Sequence, residues 1–493
     1  MHRQILSSTV LFLVVSMLQA LMQVVMLPFQ THYLTPGEYG ILATVIACST
    51  VLNPLFGLGL HGAAQRFTTD YNNSKSEQNV LWSSVILLGI LACLATGGSM
   101  LLIVALLPNN IFADFSNVPY LIYAVINSIA MGVMLIGAEL LRMYHQPRRY
   151  ALAFSIMYLC YIPLNILFIG LWHWQVKGAL LAYALMPWIG CLILILTNLD
   201  FLKWQIDRPL ARELLKYSFK ILPHFTFSTL NTVADRLLLI IIIGKHFTGI
   251  YAAGSMIASL MPMLVGAISF AIRPQIYTRF LEKSAQALTE VGQLSITAML
   301  LIALAGANIA LWSPEMLQVL TSIAYHGAWP ITILLTLKYI IQGVSVFVIC
   351  SVLFNKAKVQ QLLFVTGGSL LILIACSIWL APNYGMWGIA VAGLISSLFE
   401  LFFSYCLSRK TFTMLWPVWR MLAMIPILFI PSCGVVAWCF YAQWPLWITI
   451  AIKLLFSLIS LGVTVLVISR QHNLSIPALL ASIAPKRPLN TGP

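Results

Sequence analysis

The stretch Leu230–Ile243, LNTVADRLLLIIII, ends in seven consecutive residues that are all Leu or Ile, directly after the adjacent charges Asp235 and Arg236. Seven such residues in a row have no polar face to offer water, so the segment reads as buried in protein or lipid. A charge placed in hydrocarbon costs at least ~2.5–3.5 kcal/mol, so Asp235 and Arg236 must face a bundle interior or a wet cavity. The question is whether the rest of the chain builds such a bundle.

It does by composition. Of 493 residues 60% are hydrophobic and 8% charged, with a mean hydropathy of +0.93, too few charges to cover a water-soluble surface. A helix needs about 20 apolar residues to cross a bilayer, and on that measure the chain reads as an all-α polytopic protein with about fourteen spans. They run roughly 5–28, 39–62, 82–107, 118–141, 150–172, 177–199, 217–243, 248–272, 292–312, 329–354, 358–381, 385–407, 418–441 and 446–469. The first is too long for the core of a cleavable signal and has no A-x-A-like site after it. The nine cysteines all lie in apolar runs without a C-x-x-C, and read as small hydrophobes.

The net charge of +14 raises nucleic acid as a partner. The distribution of basic residues answers this. With the N-terminus inside, 22 of the 27 Lys and Arg fall in cytoplasmic loops and termini, only Lys177 and Lys245 lie outside, and Arg236, Lys338 and Lys453 lie within spans. That asymmetry is membrane topology; no nucleic-acid partner is needed. The expected location is a bacterial cytoplasmic (inner) membrane, with both termini cytoplasmic.

The most basic connection, from Leu199 to Lys216, splits the first twelve spans into six plus six. A shift of 209 residues lays EYGILAT (Glu38–Thr44) on FTGIYAA (Phe247–Ala253), pairing Gly40 with Gly249 and Ile41 with Ile250. The expected organisation is an N-lobe over 1–200, a C-lobe over 201–410, and two further helices with a short tail over 411–493. Six is even, so the repeats are parallel and related by an axis along the membrane normal.

Within the spans, His224, Ser228, Asn231 and Asp235 follow i, i+4, i+7, i+11 and share one helix face, with Arg236 turned roughly 100° away. Each of the two charges is expected to find its partner on another helix, a cation such as Lys338 in the case of Asp235. Polar stripes recur at Gln19, Gln23 and Gln30, at Lys338, Gln342 and Ser345, at Ser397, Glu400 and Ser404, and at Lys453, Ser457, Ser460 and Thr464. Lys453 is placed to snorkel outward or to face a cavity, while Arg66 and Glu139 sit at cytoplasmic helix ends. Pro54 and Pro262 interrupt corresponding spans of the two halves, a pattern that marks hinges or a substrate path. The chain has no G-x-x-x-x-G-K-[ST], H-E-x-x-H or G-x-S-x-G, and no cofactor is expected.

Two segments resemble a known family. YLTPGEYGILATVIACSTVLNPLFGLGLHGAAQRF (Tyr33–Phe67) is similar to the second-helix region of the polysaccharide-export flippases. LPHFTFSTLNTVADRLLLIIIIGKHFTGIYAAGSMIASL (Leu222–Leu260) is similar to their seventh and eighth helices, with Pro223, His224, Asn231, Asp235, Arg236, Gly244, Gly249, Ile250 and Tyr251 on the shared pattern. The group belongs to the multidrug/oligosaccharidyl-lipid/polysaccharide (MOP) superfamily. The resemblance implies two lobes around a central cavity open alternately to each side, and a polyprenyl-diphosphate-linked oligosaccharide moved to the outer leaflet. It also implies a route toward O-antigen or other polysaccharide, and glycan-polymerase or chain-length proteins as partners.

The residues fit that substrate. A diphosphate needs cations, for which Arg236, Lys338, Lys453 and Arg66 are available. A glycan needs hydrogen-bonding side chains, which Gln19, Gln23, Asn53, Asn231, His224 and Gln342 supply. Asp235, Glu400 and Glu139 are the candidate gate or ion-pair carboxylates. The first lobe has few acidic residues where several cation-coupled exporters carry an ion site, which leaves proton or sodium coupling open. The rival readings are a multidrug exporter of the same superfamily, which would favour an acidic cavity, and a polytopic glycan polymerase or acyltransferase, which would need a large outside loop.

Overall fold

The computed structural model describes residues 2–68, 71, 74–106, 117–144, 146–200, 206–282, 284–354, 361–411 and 416–471. These form helices α1 (His2–Tyr33), α2 (Pro36–Phe56), α3 (Leu60–Phe67), α4 (Lys75–Leu106), α5 (Asn117–Met143), α6 (Pro147–Asn165), α7 (Gln175–Thr197) and α8 (Arg208–Ile242). The rest are α9 (Lys245–Ala258), α10 (Leu260–Glu282), α11 (Ala285–Leu320), α12 (Trp329–Phe354), α13 (Leu362–Tyr384), α14 (Met386–Thr411), α15 (Val418–Ala442) and α16 (Leu446–Gln471). A π-helical turn (Ile166–Leu171) extends α6 and a 3₁₀ turn (Ile323–Ala328) leads into α12. The described residues hold no strand.

Sixteen helices serve fourteen expected spans because the second and eighth spans are each broken in two. Thirteen stretches among the described residues are long and apolar enough to cross a membrane, and α1 adds a helix of 32 residues over the first expected span. The second span breaks after Pro54, where Leu58 and Gly59 take φ of 48° and 71°; Gly59 occupies that left-handed region without a Cβ penalty. The eighth breaks at Ser259, and Pro262 enters the first turn of α10, where its missing N–H is not needed. The interruptions thus fall in corresponding spans.

Helix starts follow local chemistry. Thr35 and Glu38 form a reciprocal capping box at α2, with Glu38 Oε2 accepting from Thr35 N at 2.9 Å and Pro36 in the first turn. Asp207 caps α8 by accepting from Leu210 N at 3.1 Å.

The chain divides into two compact units. The first comprises Met1–Ile257, Met316–Leu334 and Gln360–Glu400; the second comprises Ala258–Glu315, Leu335–Val359 and Leu401–Pro493. In the first, α5 packs against α2, α4 and α7, α1 against α6, and α8 against both α2 and α13. Its core includes Trp82, Met134, Met157 and Phe154. In the second, Ala303 and Ala307 of α11 pack on Leu428 of α15. The outward faces of α15 and α16 are apolar, with Trp438, Tyr441, Trp447, Leu454 and Leu458 exposed, as lipid-facing helices require.

The repeat has a direct structural expression. A Cβ built on Gly40 would overlap the carbonyl oxygen of Lys245, and one built on Gly249 would overlap that of Pro36. Gly249 is Gly40 shifted by 209 residues, and Lys245 is Pro36 shifted by the same amount. The N-terminal turns of α2 and α9 therefore cross reciprocally through matching atoms, as a pseudo-two-fold axis demands.

Candidate functional site: a buried charge pair on α8

Asp235 and Arg236 lie two turns from the end of α8, in the first unit. The Asp235 side chain is 2% exposed; Oδ2 accepts from the Tyr251 hydroxyl at 2.8 Å and Oδ1 from the Arg236 backbone N–H at 2.9 Å. Burial without such donors would be expensive for a carboxylate. Tyr251 is itself fully buried on α9, which fixes its hydroxyl against the acid. One turn earlier on the same face, Asn231 Nδ2 donates to Ser369 Oγ of α13 at 2.9 Å, and Ser396 of α14 donates to the Ser369 carbonyl at 2.7 Å.

Arg236 points elsewhere, as its position on the helix requires. One Nη donates to Ser255 Oγ of α9 at 3.0 Å, while Nε is buried with no partner among the described residues. No carboxylate of the described residues forms an ion pair with this guanidinium. Five fixed donors, one satisfied by a neutral hydroxyl, make a pre-oriented fork for an oxyanion.

Close by, the connection between α11 and α12 meets the α1–α2 corner. Tyr325 donates to the Leu34 carbonyl at 2.9 Å, and its ring meets Tyr39 edge-on at 5.8 Å. Together with the Gly40–Gly249 crossing, this closes the first unit where α1 ends and α2 begins.

The other expected site residues belong to both units. Asn53 on α2 has a buried Oδ1 without a hydrogen-bond partner among the described residues, and Gln23 on α1 is exposed. Gln30 donates to the Tyr161 hydroxyl at 2.9 Å and to Asn165 at 3.2 Å, tying α1 to α6. The side chains of His224 and Gln19 lie outside the described residues. Arg66 is exposed in the last turn of α3, and Glu139 pairs with Arg142 at 2.8 Å. Glu400 is half-buried on α14. Lys338, in the second unit, is 4% exposed with its ammonium 5.5 Å from the centre of the Tyr339 ring, and Gln342 one turn later lines a pocket. Lys453 does not snorkel. It is 1% exposed and donates to both oxygens of Glu315 on α11 at 2.6 and 2.7 Å.

Sequence reasoning missed Glu315, Tyr251, Ser255, Ser369, Tyr161 and Asn165 as partners. Glu315 carried a signal, because it is a carboxylate three residues beyond the end of its apolar span. The hydroxyls carried none, since Ser and Tyr are common in packed membrane helices.

The model of the polysaccharide biosynthesis protein family matches residues 5–278, more than half of the chain. The chain belongs to the polysaccharide biosynthesis protein family. Its fold is that of the MOP superfamily transporters. A structure titled lipid II flippase MurJ, inward closed conformation, superposes with a TM-score of 0.69 at 16% identity, covering 93% of this chain and 98% of that one. An inward-facing multidrug resistance MATE family transporter of the MOP superfamily gives 0.62 at 15% identity, covering 83% and 95%. A MOP superfamily transporter from Pyrococcus furiosus, in a structure whose title speaks of a reverse polarity of the binding pocket, gives 0.55 at 17% identity, covering 85% and 96%. No curated protein matches the sequence. The family model covers the Gly40–Gly249 crossing, the Asp235–Arg236 pair and the Tyr251 and Ser255 side chains that hold it, so these features lie in family territory.

Proposed function

We propose that this protein flips a polyprenyl-diphosphate-linked oligosaccharide from the cytoplasmic to the outer leaflet of the cytoplasmic membrane by alternating access, in the assembly of a surface polysaccharide such as O-antigen. The observation that carries this reading is Arg236, a guanidinium deep in an apolar helix whose Nε is unpartnered and which has no ion-paired carboxylate among the described residues. A dianionic diphosphate crossing hydrocarbon needs such a donor, and Arg binds phosphate oxygens bidentately. With the N-terminus inside, the contacts Gly40–Gly249 and Tyr325–Leu34 of the first unit lie at its outer end, where they would serve as an outer gate. In this reading residues 1–200 and 201–410 move as two lobes, and Asp235, anchored by Tyr251, belongs to the gate. Glycan polymerase and chain-length proteins are the partners that would consume the product.

Deleting the gene tests this. Lipid-linked oligosaccharide should accumulate in the inner leaflet while its synthesis continues; unchanged outer-leaflet glycan in a strain without a second flippase refutes the reading. The multidrug-exporter alternative shares the fold, but a buried guanidinium with no ion-paired carboxylate among the described residues repels a cationic drug. Export of cationic dyes from the intact strain and its loss in the deletion strain would favour that alternative.

A further inference from the structure

Between α10 and α12, within the second unit, lies a pocket of about 210 Å³. Its apolar part is Pro262 and Val265; its polar part is Ser269, Tyr339 and Gln342. Three features set it apart from ordinary helix packing. The Ser269 hydroxyl is 2% exposed and has no hydrogen-bond partner among the described residues. Ser295, Ser432 and Ser460 return their hydroxyls to a backbone carbonyl of their own helix, whereas Ser218, Ser345, Ser377 and Ser404 are buried and, like Ser269, without a partner among the described residues. Of these orphaned hydroxyls Ser269 is the one that lines the pocket, where an outside partner can reach it. The Gln342 amide, one turn away on α12, also makes no hydrogen bond among the described residues. Finally, a Cβ placed on Gly266 would meet nothing within 4 Å, so the glycine leaves the space open.

We propose that this pocket is a sugar-ring subsite, taking one neutral pyranose of the glycan head group. The mixture of groups suits that ligand. A pyranose has an apolar C–H face, which lies on an aromatic ring or on Pro and Val, and a rim of hydroxyls that are both donors and acceptors. An amide and a hydroxyl meet that rim in either direction, and each that stays unpaired when the ligand is absent discriminates against a ligand lacking the matching hydroxyl. An isoprenoid chain would leave Ser269 and Gln342 unsatisfied. A cationic drug would find no carboxylate in the lining. The volume holds about seven waters at roughly 30 Å³ each, room enough for one ring but not for a disaccharide. The subsite rests on the flippase reading above and specifies where part of its substrate is held.

The test uses the purified full chain in vesicles and two lipids. One is the cell's own polyprenyl-diphosphate-linked oligosaccharide, extracted from cells lacking the protein; the other is polyprenyl diphosphate without sugar. Gly266→Leu fills the pocket, and Ser269→Ala removes the waiting hydroxyl without adding bulk, so one variant remains informative if the other fails to fold. The ratio of oligosaccharide-lipid to bare-lipid translocation is expected to fall at least tenfold for Gly266→Leu and about threefold or more for Ser269→Ala. An unchanged ratio, including one in which both rates fall together, overturns the subsite while leaving the flippase reading intact. A wild-type protein that moves neither lipid overturns both.

Discussion

Gly249→Val is the substitution that most directly probes the proposed outer seal. A Cβ at this position would run into the Pro36 carbonyl and lie 3.0 Å from Gly40 N, where ordinary contact needs 3.4–4 Å. Both obstacles are backbone, so no rotamer change relieves them and the α2 and α9 starts must separate. Forcing extra carbon into a packed contact costs typically ~1–3 kcal/mol. The cost falls only on the state in which the helices cross, so it is a bias of the closed–open equilibrium worth roughly 5–150-fold. Gly37 provides the reporter, because a Cβ there would sit 3.6 Å from Lys245 Cγ, within reach of a disulfide. In a background with the nine native cysteines replaced, Gly37→Cys/Lys245→Cys should oxidise readily, and reduction should restore transport. Adding Gly249→Val should slow that oxidation by tenfold or more and lower the transport rate. If the cross-link forms at an unaltered rate with Gly249→Val, the crossing is not the outer seal and the reasoning fails.

Three further expectations follow from the same contacts. Arg236→Ala should abolish transport at normal membrane abundance while Arg236→Lys retains a minor fraction, since the ammonium keeps the charge but not the fork; transport by the alanine variant at the wild-type rate would remove Arg236 from the substrate path. Tyr251→Phe deletes a hydrogen bond to a 2%-exposed carboxylate, a bond to a charged group worth about 1.5–3 kcal/mol, and should lower the thermal midpoint of the detergent-purified protein; an unshifted midpoint would refute that Tyr251 holds Asp235. Lys453→Met strands Glu315 and should destabilise by about 3–5 kcal/mol, whereas Lys453→Met with Glu315→Gln should recover most of the loss. A double-mutant cycle measures the coupling, and additive losses would mean that the pair is not formed.

Much of this protein was determined by its sequence alone. Apolar runs of about 20 residues set the spans, because a backbone in lipid must satisfy itself as helix. The hydropathy runs did not use the caps at Thr35–Glu38 and Asp207, which start α2 and α8 ahead of the expected spans. The i, i+4, i+7, i+11 spacing put Asn231 and Asp235 on one face and turned Arg236 off it, which is what α8 shows. The match of Gly40 to Gly249 announced the repeat. Hydropathy and helical period describe one helix at a time, however, and what a buried charge does depends on its neighbour across the interface. Lys453 read as a snorkelling residue or a cavity lining until the fold set Glu315, 138 positions away, against it. Tyr251 and Ser255 became the partners of Asp235 and Arg236 because α9 turns back alongside α8 at Gly244. The two glycines of the repeat became a seal because the tertiary structure brought them face to face, and only a residue without a side chain allows two backbones to approach that closely.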